Sequence, residues 1–102
     1  MNITVTIKLF EGIKVIQVPV KKEYCLNGIS FVLTRPVIIE SNGDLQIGTE
    51  GWTIRDKITG FVIVGGNSIK EAFHKLKVTC ENPMFEQSYS NLIINRYLSE
   101  KE

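Results

Sequence analysis

The chain is poor in the residues that carry most hydrolytic and metal chemistry. Its 102 residues include one histidine, His74, and two cysteines, Cys25 and Cys80. Neither cysteine belongs to a CxxC pair or a Cys/His cluster, and no HExxH, Walker loop or GxSxG elbow occurs. Two distant thiols are too few for a disulfide framework, so two reduced, mostly buried cysteines in a cytoplasmic protein are expected. The longest plainly apolar run, Phe61-Val62-Ile63-Val64, is far short of the roughly 20 residues that cross a bilayer. Met1 to Lys8 alternates in polarity and does not read as a signal peptide. Charge of neither sign dominates: 12 basic against 11 acidic side chains leave a net charge of +1. That balance argues against a dedicated nucleic-acid or membrane-surface binder.

What remains is a globular composition, 43% apolar and 23% charged, of a length suited to one domain spanning residues 1–102. Ile3, Val5, Ile7 and Leu9 alternate with Thr4, Thr6 and Lys8, the period of a half-buried strand. Ile13 to Val20 resumes with Ile16, Val18 and Val20 on one face. Pro19 cannot donate to a ladder, which marks this strand as an edge. Asn27-Gly28 fits a type I′ hairpin turn between Glu23–Leu26 and Ile29–Thr34. Further short strands are expected at Val37–Ile39, Leu45–Ile47, Trp52–Arg55 and Phe61–Val64, with Gly65-Gly66 ending the last.

The period then changes from 2 to 3.6. Ser68-Ile69-Lys70-Glu71 fits a capping box, and Ile69, Ala72, Phe73 and Leu76 follow at helical spacing. This helix is expected to end near Lys77. Asn82-Pro83 begins a second helix, with Phe85, Tyr89, Leu92 and Ile93 on one side, reaching about Leu98. The sequence therefore predicts an α+β fold. An antiparallel sheet of five to seven short strands, residues 1–66, precedes two helices, residues 67–102, packed on one face.

Nothing in the chain calls for a cofactor or a metal. Asp44 and Asp56 fall in turns, where short carboxylates bond the local backbone. His74 falls opposite Phe73 and Leu76, toward solvent. Two surfaces stand out instead. Lys70, His74 and Lys77 recur at i, i+4 and i+7 as a basic stripe on the first helix, able to meet phosphate or simply to face water. Tyr89, Leu92, Ile93, Ile94 and Tyr97 make the last helix apolar over more than one side, a candidate interface with a protein partner or a second copy. The edge strand Ile13–Val20 offers a third route, by strand addition.

Residues 52–76 carry a Trp52 strand, a Thr59-Gly60 turn, a strand and a capped helix. This unit resembles small phage and mobile-element proteins. Gly60, Gly65, Ser68, Glu71 and Ala72 also match the frame of HicB-like antitoxins. Gly66 is an extra residue in that frame, Thr59 stands where the antitoxins have proline, and no recognisable DNA-binding tail follows. With no catalytic motif, the chain reads as a non-enzymatic, phage- or mobile-element-like interaction protein whose sheet edge or last helix binds a host macromolecule, such as a defence nuclease that it inhibits, or a second copy. The alternatives are an antitoxin-like regulator that reaches nucleic acid, and a small enzyme with Cys25 or Cys80 set against His74.

Overall fold

A computed structural model of the chain describes residues 1–91. The described residues adopt the α+β class, with eight antiparallel strands in three sheets followed by two helices packed against the sheet. The strands are β1 (Asn2–Leu9), β2 (Gly12–Pro19), β3 (Lys22–Leu26), β4 (Ile29–Thr34), β5 (Val37–Ile39), β6 (Leu45–Ile47), β7 (Trp52–Asp56) and β8 (Val62–Gly66). Helix α1 spans Ile69–Glu81, and a second helical segment is described over 85–91. The central sheet has the order β3-β4-β7-β8, while β1-β2 and β5-β6 are separate two-stranded hairpins.

The sequence count of five to seven strands in one layer becomes eight in three sheets. Arg35-Pro36 and the Gly48–Gly51 loop interrupt the chain on either side of β5-β6, so that hairpin cannot continue the central ladder.

Strand β4 organises the interior because both of its faces are covered. Phe31 and Leu33 point one way and join Ile54, Ala72, Leu76 and Phe85 in one cluster. Val32 points the other way and joins Ile3, Val5 and Val18 in a second. The continuous apolar run Phe31-Val32-Leu33 is what a strand buried on two sides needs. Helices therefore roof one face of the central sheet, and the β1-β2 hairpin floors the other.

Local chemistry fixes the turns. Asn27 and Gly28 have φ of 54° and 75°, as the type I′ turn requires. The Asn27 side-chain amide donates to the Cys80 carbonyl at 3.1 Å, tying that turn to the end of α1. Ser68 Oγ accepts from the Glu71 N–H at 3.1 Å, while the Glu71 carboxylate accepts from the Asn67 N–H at 3.2 Å. The box thus closes one residue earlier than the standard pattern.

Two sequence boundaries are corrected. Gly65-Gly66 does not stop the last hairpin; both residues belong to β8. A Cβ on Gly66 would lie 2.8 Å from the Ala72 amide nitrogen, so the glycine lets α1 approach the strand. Helix α1 runs four residues beyond Lys77, because Cys80 extends the stripe of Ala72, Phe73 and Leu76 against the core.

Candidate functional site

The basic stripe forms as spaced. Lys70, His74 and Lys77 are all exposed on α1, opposite the buried Ala72 and Leu76. Its charge is partly occupied: Lys77 Nζ lies 5.9 Å from the Phe73 ring centroid, and neighbouring Lys75 pairs with Glu71 at 3.2 Å.

Of the candidate interface on the last helix, only Tyr89 is described; Leu92, Ile93, Ile94 and Tyr97 lie outside the described residues. Tyr89 is half-buried and turned inward. Its ring centroid lies 6.0 Å from that of Phe85, and its hydroxyl donates to Asp56 Oδ1 at 2.7 Å. Burial, and then the Asp56 carboxylate, push its phenol well above the ordinary tyrosine range.

Asp56 is fully buried and ends β7. Its other carboxylate oxygen accepts from the Thr59 N–H and the Thr59 hydroxyl, each at 2.8 Å. The turn so formed carries Gly60, where a Cβ would come within 3.0 Å of the Thr4 carbonyl oxygen. One buried carboxylate thus joins the helical segment to the β7-β8 turn, and that turn in its own right packs against β1 at Thr4. This is an architectural bracket, in keeping with the turn role read from the sequence, though its tyrosine partner 33 residues away was not foreseen. Arg55 beside it is also buried, donating to the Gly60 carbonyl at 3.0 Å, and burial lowers its guanidinium pKa.

The cysteines depart from expectation. Cys25 is exposed rather than buried, because it lies on the uncovered face of edge strand β3; Cys80 is half-buried, and both are free. Burial raises the Cys80 thiol pKa, the opposite of what activates a nucleophile. His74 lies six positions before it on α1, about 240° around the axis. The structure does not bring Cys80 and His74 onto one face.

Among the described residues, the outer side of β1-β2 exposes large apolar side chains among threonines and Lys8. The register pairs Ile3 with Val18 and Val5 with Ile16 on the inner face, and Thr6 with Val15 and Lys8 with Ile13 on the outer. Ile13 is 63% exposed and Val15 58%, and Phe10 at the hairpin tip is fully exposed. The alternation of Ile16, Val18 and Val20 already implied an outward Ile13 and Val15. Phe10 gave no such signal, since an aromatic at a turn reads equally as a core anchor.

The backbone edge of β2 is open as well. Val20 N–H donates to the Met1 carbonyl at 2.8 Å, and bonded pairs alternate with unbonded ones along an antiparallel ladder. Counting from that bond, the N–H and C=O groups of Ile13, Val15 and Gln17 point away from β1. Among the described residues, no backbone hydrogen bond reaches them.

Among the described residues, no group of three or more His, Cys, Asp and Glu converges as a metal site would need, and no helix is long and apolar enough to cross a membrane. In comparison with known proteins, no family model, no curated protein and no solved structure matches the chain.

Proposed function

We propose that this chain is a non-enzymatic protein-binding module that docks through the outer face of its β1-β2 hairpin. The observation that carries the reading is the exposure of Phe10, Ile13 and Val15 together on a hairpin whose other face is committed to the core. Solitary exposed apolar side chains are ordinary, but three on one hairpin whose other face is buried supply the apolar area that an interface centre uses. The aromatic at the tip supplies the large anchor that such centres favour. The resemblance of residues 52–76 to small phage and mobile-element proteins makes a host macromolecule the class of target to test first.

The test is a photo-crosslinking residue placed at Phe10 in the full chain, followed by identification of the captured protein. One protein should be captured reproducibly, and Ile13→Thr with Val15→Thr should abolish capture while leaving the fold intact. Capture that is indifferent to those substitutions would move the docking site elsewhere. The basic stripe is checked in parallel: Lys70→Glu with Lys77→Glu should leave capture unchanged.

A further inference from the structure

The groove beside the open edge of β2 is bounded on its other side by a second strand with an open edge, β6. In β5-β6, Glu40 N–H donates to the Asp44 carbonyl and Gly48 N–H to the Pro36 carbonyl. By the same alternation, the backbone groups of Leu45 and Ile47 point away from β5. Strand β6 comes within 8 Å of β2 between Cα atoms, yet the two share no ladder. Lys14, Val15 and Ile16 form one wall of the groove between them, and Glu40, Leu45 and Gln46 the other. The groove holds about 420 Å³.

We infer that this groove receives an extended peptide segment of the partner, added as a strand onto β2 with its far side against β6. The inference rests on the protein-binding reading above and names the chemistry of contact. Unpaired main-chain donors and acceptors are recognised by an extended backbone, and here both walls present them. Neighbouring strands stand about 4.8 Å apart, so a strand seated between two others needs roughly twice that spacing. Because β2 and β6 already come within 8 Å, seating such a strand requires the β5-β6 hairpin to shift outward, and that shift is part of the inference.

Charge specifies the occupant further. Lys14 pairs with Asp44 at 3.4 Å. A Cβ on Gly43, in the same turn, would lie 3.6 Å from both Glu11 Oε2 and Lys14 Nζ, which places Glu11 at this mouth. Three carboxylates, Glu11, Glu40 and Asp44, thus lie about the groove against one lysine, Lys14, and a partner strand carrying lysine or arginine complements them. A second copy of β2 is less suited, because it would bring another Glu11 with its Lys14.

The experiment screens a displayed library of short random linear peptides against the full chain and follows the winners by amide NMR. Selected peptides should alternate apolar residues with at least one lysine or arginine, and should shift the amides of Ile13, Val15, Gln17, Leu45 and Ile47. Methylating alternate peptide nitrogens should weaken binding by roughly tenfold or more, since each removes a main-chain donor. Gln17→Pro should do the same from the protein side, because an outward N–H on an edge strand can be lost without breaking the hairpin. The methylated peptides keep the test valid if that variant folds poorly. Winners that shift other amides, indifference to methylation, or a dimer that protects β2 without peptide would each overturn strand addition. If crosslinked capture through Phe10 persists in those cases, the protein-binding reading survives and only the groove is lost.

Discussion

The two faces of the central sheet are built from different side chains. Toward the helices the core is built around two aromatic rings, Phe31 and Phe85, with Leu33, Ile54, Ala72 and Leu76. Toward the β1-β2 hairpin it has no aromatic ring and is β-branched throughout: Ile3, Val5, Val18 and Val32. The difference follows from what covers each face. A helix stands off a sheet by the length of long side chains, whereas a hairpin packs well with short, stiff groups that fit a pleated surface. It also separates tasks. The helix side is closed by tertiary ties, while the hairpin satisfies the core with one face and leaves Ile13 and Val15 open on the other.

The comparison is tested first where it should cost most. Phe31→Ala removes a fully buried ring from the helix-side cluster and should destabilise by about 4 kcal/mol in denaturant titration. Asp56→Ala comes next. It strips the acceptor from the Thr59 N–H, the Thr59 hydroxyl and the Tyr89 hydroxyl, at a cost of about 3 kcal/mol. The same bracket carries a pH signature. An unfolded tyrosine titrates near pH 10, and the Tyr89 value in the fold is raised above that. Its contribution is therefore whole below about pH 10 and declines as pH climbs through the folded value. Thermal melts should show wild type losing stability above pH 10 more steeply than Tyr89→Phe.

The hairpin side should yield smaller losses. Val18→Ala removes two carbons from a fully buried position and should cost about 2 kcal/mol. A loss equal to that of Phe31→Ala would erase the distinction between the two cores. Ser68→Ala, on the helix side but at the exposed cap, should cost about 1 kcal/mol by circular-dichroism melts.

How far this architecture could be read from the sequence depended on whether its signals were local. The Ile3-Val5-Ile7 alternation, the Asn27-Gly28 turn and the Ser68–Glu71 cap each lie within a few residues, and each forms in the structure. So does the stripe of Lys70, His74 and Lys77, because helical spacing alone dictates it. The two-sided burial of β4 was hidden, since Phe31-Val32-Leu33 looks the same whether one face is covered or both. The division into three sheets depends on which edges meet, and no run of residues encodes that by itself. The Tyr89–Asp56 bond was hidden for a related reason: a tyrosine at helical spacing announces an apolar ring but not which carboxylate its hydroxyl will find.

The smallest expected effect discriminates best between scaffold and docking surface. Phe10 and Ile13 contribute little to either core cluster, so Phe10→Ser with Ile13→Thr removes apolar area that is already in water. Surface changes of this kind stay within about 0.5 kcal/mol of wild type. The melting curve of the double variant should therefore overlay the native one, while its capture of a partner falls away. A marked loss of stability would mean that the hairpin's outer face is structural after all. The contrast between a closed side and an open side would then have to be redrawn around the helices.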